Sequence, residues 1–556
     1  MLSLLIICFA LLICTYSLGA FLQKSFHIIN SSERWSGFET ILSGLCVFLF
    51  LSQFINLFIP NNEIVFAVIF LACIIYFLKN NCWKFLQKKI VDTVSILFSR
   101  EHFLISILIF SPLVLFSIIE PLHGDSQGYH YDSIRWAFEY KAVPGIANLH
   151  SRFGFNSSFF TLSALTSFRN IFSQSIYALN PFCIICFYTW LLIEAFKRKN
   201  KIEFYILIVF AVFMLRHFLF LLSSPSPDAL WVIFFSYLII QFTFNKAQPV
   251  LFFLLCITAI TIKLSALLMG FIAVFFFLKI STNKLKIISL FICFVVLCSW
   301  ICRNYIVSGY LAYPISFTGF LNPDWKLPEN LLHFDVLLIH NGPKLLGENW
   351  QAVESLSFVK WFTKWVTIQW QQGIYVNLFF LLTALVSIIV WIKFIFKKSL
   401  TNLFLSFLFC YTSLWLWLLN APDYRFGYVY IISCLLLTLF YLLQNVQMSK
   451  LHLNLFVFLL GICAVYFSSL SMPYIKKLHS NFFLIPPKDF YYSVKNNIQS
   501  FEKKALNNKI KLYLGDSLHH CINAPLPCSQ DYNKMQNRNN IQARGKNISN
   551  GFRIVQ

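Results

Sequence analysis

The chain has 556 residues, of which 58% are hydrophobic and 12% charged, with a mean hydropathy of +0.69. A soluble domain carries about 25% charge, so the composition excludes a soluble globular protein and selects a polytopic membrane protein built of helices, no alternating strand pattern being present. The net charge of +22 invites a nucleic-acid partner, but lysines and arginines gather in short loops between apolar runs, as the positive-inside rule predicts, and no nucleic acid is expected.

The N-terminal run Met1–Leu22 lacks a basic leader and reads as a retained helix rather than a signal peptide. Runs Ile41–Ile59 and Ile64–Leu78 follow, then a loop with Lys79, Lys84, Lys88, Lys89 and Arg100 that places itself in the cytoplasm. The run His102–Ile119 carries the chain out to a polar island, Glu120–Ser158, crowded with Asp, His, Tyr, Asn and Gly. Phe159–Phe172 is short and reads as an interfacial or re-entrant helix, with Ile176–Ile193 crossing back to the basic loop Lys197–Lys201. Phe204–Leu222 leads out to SSPSPD, and Leu230–Thr243 returns. Val250–Leu278 is too long for one span and suits two short ones broken near Lys263. Leu285–Ile301 exits to a second exterior loop, residues 303–372, before the runs Tyr375–Phe396, Leu403–Leu419, Tyr428–Leu443 and Leu455–Leu470. The expectation is an all-α polytopic membrane domain over residues 1–470, with about 13–14 transmembrane helices by the roughly 20-residue span rule. A small exterior tail of α+β or irregular structure covers residues 471–556, with Lys511–Asp516 as a strand and turn.

Most of the 16 cysteines lie in apolar runs and read as small hydrophobes. Cys521 and Cys528 flank a polar, Pro-rich loop, where a disulfide is expected if the tail lies outside the cytoplasm. A zinc pair with His519 and His520 is the alternative.

Chemistry concentrates at the ends of spans. Asp125 in HGDSQGYHYD, partly desolvated at the interface, is expected to have a raised pKa and to take a proton from a hydroxyl; a cap at a loop-to-helix junction is the plainer role. Asp132, seven residues on, shares its face if the segment is a regular helix. His130 and His150 add donors, and Arg152 offers a planar fork for a phosphate or a sugar carboxylate or anchors a lipid headgroup. Asp228 closes the turn SSPSPD and suits a helix N-cap as well as a site. Lys263 is the most isolated intramembrane cation and either snorkels or meets a lipid phosphate. Arg303 in RNYIVSGYLAYP, and Asp423 with Arg425 in NAPDYRFGY, lie at other span ends. No metal motif is compelling, although Asp125 and Asp132 together could hold one divalent cation.

The layout of an acidic residue in the first large exterior loop, with basic residues on later outer turns, resembles the GT-C superfamily of integral-membrane glycosyltransferases. RNYIVSGYLAYP is similar to a segment of its mannosyl- and aminoarabinosyl-transferase branch, and Lys263 sits where that branch has a lysine near the lipid phosphate. VPGIANLHSRFGFNSS, SSPSPD, APDYRFGY and CINAPLPCS resemble a bacterial family of large, uncharacterised inner-membrane proteins. The resemblance implies transfer of a sugar from a polyprenyl-phosphate-linked donor to a cell-surface glycan or lipid acceptor. Asp125 would be the base, and Lys263 and Arg303 would hold the donor phosphate. The implied place is the bacterial inner membrane, with the C-terminal tail periplasmic. A polysaccharide polymerase or ligase resting on arginines and a histidine, and a transporter or flippase of lipid-linked sugars, are the alternatives.

Overall fold

An apolar run can bury its backbone in lipid only as a helix, and the chain is helical almost throughout as far as Leu443. The computed structural model describes residues 2–25, 35–119, 121, 123–199, 201–244, 246, 248–345, 350–397, 401–444, 502–507, 509–515, 521, 524–530 and 540–555. Among these, seven helices are long and apolar enough to cross a membrane: Leu2–Ser25, Gly37–Asn56, Leu179–Phe196, Ile202–Leu222, Asn283–Ser308, Asn402–Asn420 and Tyr424–Leu443. Glu63–Lys79 and Cys82–Leu97 make an eighth candidate, bent by 85°.

This differs from the 13–14 spans expected. Several apolar runs form helices of 17 residues or fewer, among them Phe103–Ser117, Asp228–Thr243 and Pro249–Ile262. At a rise of 1.5 Å per residue these measure roughly 21–24 Å, short of a hydrocarbon core of about 30 Å. The physical reason is local. Each is cut off by residues that a helix interior tolerates poorly or that are needed elsewhere: the polar stretch after Ile119, the prolines before Asp228, and Lys263. The run Leu455–Leu470 and the pair His519–His520 lie outside the described residues.

The helix Asp228–Thr243 is buried on every side, the mark of a helix at the centre of a bundle. Trp231 and Tyr237 fill its flanks, with Tyr237 against Phe38, Trp190 and Phe252. Its first residue is Asp228, so this fully enclosed helix begins with a carboxylate. Pro249–Ile262 packs beside it and ends at Lys263, whose extended backbone (φ −152°, ψ 128°) precedes a 3-10 turn, Leu264–Leu268.

The described tail segments do not stand apart. Strands β1 (Glu502–Ala505), β2 (Lys511–Gly515) and β3 (Cys528–Gln530) form one sheet, with β1–β2 antiparallel and β2–β3 parallel. Strands β4 (Ile541–Ala543) and β5 (Phe552–Ile554) pair antiparallel. Leu512, Ile541 and Phe552 bury themselves against Trp136, Val143, Ile146, Leu149 and Phe153 of the first polar loop. Asn148 donates to the carbonyls of Trp325 and Phe552, tying both polar loops to the tail. Gly145 has φ +66° with the Phe552 carbonyl 2.2 Å from where a Cβ would stand, so glycine alone fits that junction. Cys521 and Cys528 are joined in a disulfide.

Candidate functional site

Five separate stretches of chain deliver charged side chains to one place. After the helix Phe103–Ser117 the backbone turns through His123, whose N–H donates to Ser224 Oγ at 3.1 Å. Asp125 then enters a wide π-type turn, Ser126–His130, that runs into the helix Tyr131–Glu139. Asp125 makes no side-chain cap. Its Oδ2 instead accepts from Arg425 Nη1 at 2.7 Å and its Oδ1 from Arg152 Nη1 at 3.4 Å.

Arg425 is fixed from the other side. Asp423 N-caps the helix Tyr424–Leu443 by accepting from the Arg425 backbone N–H at 3.0 Å, and its second oxygen lies 2.9 Å from Arg425 Nε. Trp417 Nε1 donates to the Asp423 carbonyl at 2.8 Å, and a Cβ on Gly427 would come within 2.2 Å of the same indole. The turn is therefore set by a glycine that lets an aromatic ring approach the backbone. Phe426, between, lies under both Lys263 Nζ at 3.8 Å and the Arg425 guanidinium at 4.5 Å, a cation–π arrangement that holds two like charges near one another.

Lys263 donates to Asp228 Oδ1. Asp228 is the first residue of its helix and not its cap: the N-cap position is Pro227, and Ser226 Oγ accepts from the Asp228 N–H at 3.3 Å. A carboxylate there also meets the positive end of the helix dipole. The ring of His123 stands between the two carboxylates, Nδ1 4.0 Å from Asp125 Oδ2 and Nε2 3.9 Å from Asp228 Oδ2. Its Nε2 is also 3.2 Å from Arg425 Nη1. His130 stacks near it, ring centroids 5.7 Å apart.

Asp125, His130, Arg152, Asp228, Lys263, Asp423 and Arg425 thus come together from positions 300 residues apart, while Asp132 and Arg303 do not join them. The π-type turn explains Asp132. A turn wider than the α-helix shifts the phase of the helix after it, so the seven-residue spacing no longer returns to the same face. Asp132 is buried at 1% exposure, with neither carboxylate oxygen hydrogen-bonded among the described residues. The charges that act on it are Arg135, Arg169 and Glu139 rather than Asp125, and no group of three or more His, Cys, Asp or Glu among the described residues could hold a metal ion. Arg303 lies within the helix Asn283–Ser308, not in a loop, and donates to Asn56 Oδ1 at 3.0 Å and Asn156 Oδ1 at 2.5 Å. It braces helices rather than reaching the cluster. His150 accepts from the Arg152 N–H at 3.1 Å and so shapes the turn that carries Arg152. His123 was not singled out by the sequence; its signal was the two-residue spacing to Asp125 in a loop that follows a span.

The electrostatics overturn one expectation. Burial alone would push the Asp125 carboxyl up, but Arg425 first, then His130, His123 and Arg152, outweigh it and hold it well below the ordinary carboxylate range. Burial lowers both histidines, His130 to about 3, against the pull of the neighbouring carboxylates. Three carboxylates therefore face two arginines and a lysine with neutral imidazoles between them. At Asp132 burial wins, raising its pKa to about 7 despite Arg135 and Arg169.

That last shift predicts a pH dependence. A carboxyl whose folded pKa lies above its unfolded value contributes stability below the unfolded pKa, near 4, that is lost as pH rises towards 7. Each unit between is worth up to about 1.4 kcal/mol. The Asp132→Asn variant should keep its melting temperature between pH 5 and pH 8 while the wild type falls; parallel melting curves for the two would contradict a buried acid.

Residues 1–432 match the family described as a domain of unknown function, DUF8201, a stretch that includes the whole cluster and stops before the tail. No curated protein and no solved structure matches the chain.

Proposed function

The chain belongs to the DUF8201 family, and we propose that it is a membrane glycosyltransferase of the GT-C kind, moving a sugar from a polyprenyl-phosphate-linked donor to a cell-surface glycan or lipid. One observation carries the reading: Arg152, Lys263 and Arg425 surround Asp125 and Asp228 among the ends of apolar helices. Ionisable groups in such surroundings are expensive and mark sites of function. The cluster also has an open side, since the Arg425 and Lys263 side chains are 38% and 24% exposed while Asp228 beneath them is 4% exposed.

In this reading Arg425 and Lys263 bind the donor phosphate, and Phe426 lies under the lipid-linked group. Asp125 takes the proton of the acceptor hydroxyl as its oxygen attacks the anomeric carbon. The bond from that carbon to the phosphate oxygen breaks, its electron pair leaves with the polyprenyl phosphate, and the cations stabilise the charge that collects there. Arg152, within cation–π range of Tyr129 at 5.5 Å, orients Asp125 from the opposite side. The reading places the protein in the bacterial inner membrane with the cluster and tail outside. Two features support that orientation: a disulfide suits an oxidising compartment, and the Lys199–Glu101 pair sits at the opposite end of the helix Phe103–Ser117 from the cluster.

A polysaccharide polymerase or ligase is favoured by one feature, a histidine, His123, set against Arg425. A flippase is favoured by the helix break at Lys263. Proteoliposomes of the purified chain given a polyprenyl-phosphate sugar with a labelled glycosyl group should release polyprenyl phosphate and pass the label to acceptor glycan. Label that crosses the bilayer still attached to lipid would sink the transferase and favour the flippase.

A further inference from the structure

Arg425 holds two basic groups shut at once. Its Nη1 donates to Asp125 Oδ2 at 2.7 Å and lies 3.2 Å from His123 Nε2. A guanidinium has only donors, so His123 Nε2 must accept and cannot carry a proton while Arg425 is in place. The proton of the neutral ring then sits on Nδ1, which has no hydrogen-bond partner among the described residues. On its far side Nε2 already faces Asp228 Oδ2 at 3.9 Å.

We propose that a phosphate group entering the cluster draws Arg425 off Asp125 and His123, and that His123 Nε2 takes up a proton as Arg425 leaves. The inference rests on the cluster being a phosphate site, as the glycosyl-transfer reading requires, and adds a linked protonation that the reading does not contain.

The charges require compensation of this kind. Asp125, Asp228 and Asp423 already balance Arg152, Lys263 and Arg425. The phosphodiester of a polyprenyl-phosphate sugar adds one negative charge to a neutral, largely enclosed group, and the monoester it leaves behind up to two; a proton on His123 returns one. The groups that face His123 define the response: Asp125 and His130 on its own loop and turn, Asp228 at the start of the central helix, Lys263 at the helix break, Arg425, and His217 from Ile202–Leu222. In the closed arrangement burial and the two cations Arg425 and Lys263 keep the imidazole neutral against the pull of Asp228 and Asp125. Withdrawal of Arg425 removes one opposing cation and the donor that fills Nε2, leaving two carboxylates about 4 Å away, where an opposite charge favours the protonated form. The same withdrawal frees Asp125 from its closer counter-ion, so the base becomes available only when phosphate is bound.

The balance is simple. One proton comes from solvent to His123 Nε2 on binding and returns when the phosphate leaves. No bond other than N–H forms, and nothing is oxidised or reduced.

Calorimetry of the purified full-length chain in detergent tests this, with farnesyl phosphate and inorganic phosphate as probes, in two pH 7 buffers of different ionisation enthalpy. For the wild type the buffer difference should give uptake of between about half a proton and one proton per bound phosphate, with affinity rising as pH falls. His123→Gln, and His123→Asn as a second substitution should the first misfold, should bind the probe with that uptake gone. Arg425→Met should bind at least tenfold more weakly. Uptake with farnesyl phosphate alone identifies a lipid-linked phosphate, and uptake with both a free one; either supports the coupling. Phosphate binding with no uptake, or with equal uptake in wild type and both His123 variants, overturns this inference and leaves the phosphate site intact. No binding of either probe overturns the phosphate site itself and the inference with it.

Discussion

Asp125→Asn should leave the chain folded and lower glycosyl transfer by roughly 100- to 10,000-fold, the range for loss of a positioned base. The amide keeps the shape of the carboxylate and one acceptor oxygen, so Arg152 at 3.4 Å or Arg425 at 2.7 Å can still be met. Arg425 also keeps Asp423 at 2.9 Å, so no cation is stranded. What is lost is the ability to accept a proton. Asp125→Glu should recover part of the rate, because a carboxylate is retained but displaced by a methylene. Transfer of labelled sugar, read beside the melting curve of each variant in detergent, separates chemistry from folding. Full transfer by a well-folded Asp125→Asn protein would remove Asp125 as the base.

A second large effect is expected on stability, at Lys263. Its ammonium is the close counter-ion of Asp228, whose side chain is 4% exposed at the head of a helix buried at every residue. Lys263→Met leaves that carboxylate without its close counter-ion, with His123 3.9 Å away and the charge of Arg425 acting from further off, and removing one partner of a buried pair typically costs about 3–5 kcal/mol. The double variant Lys263→Met with Asp228→Asn should fold nearly as well as the wild type, since neither charge remains to be satisfied, yet bind phosphate poorly. A double-mutant cycle on melting temperature gives the coupling directly. Additive effects of the two substitutions would show that the pair does not hold this end of the bundle together.

Several of these features could be read from the chain before folding is considered. A break at Lys263 follows from a run too long for one span and too short for two full ones, and the helix does end at Ile262. The short helix after Ser158 and the strand at Lys511 follow from run length and alternation. Counting spans fared less well, because an apolar run marks what lipid or a protein core will accept without saying which. The helix Asp228–Thr243 is as apolar as its neighbours but buried in protein on all sides.

Site residues divide along the same line. Asp125, Arg152, Asp228, Lys263, Asp423 and Arg425 are conspicuous as charges beside apolar runs, a property of local sequence. Asp132 shares a face with Asp125 only in a regular helix, and one wide turn at Ser126–His130 removes that condition. Arg303, expected to hold the donor phosphate, is claimed instead by Asn56 and Asn156, which its local sequence does not show. The sign of the Asp125 shift reversed for a similar reason: desolvation is visible in a loop that follows a span, whereas Arg425, the largest charge opposing it, comes from 300 residues away.

Composition and the spacing of its apolar runs determined that this is a chain of apolar helices with most charges between them, because an unalternating apolar run in lipid can satisfy its backbone only as a helix. Only the tertiary structure decided which charges meet, since pairing depends on distances between segments hundreds of residues apart. Local sequence carries no record of such distances.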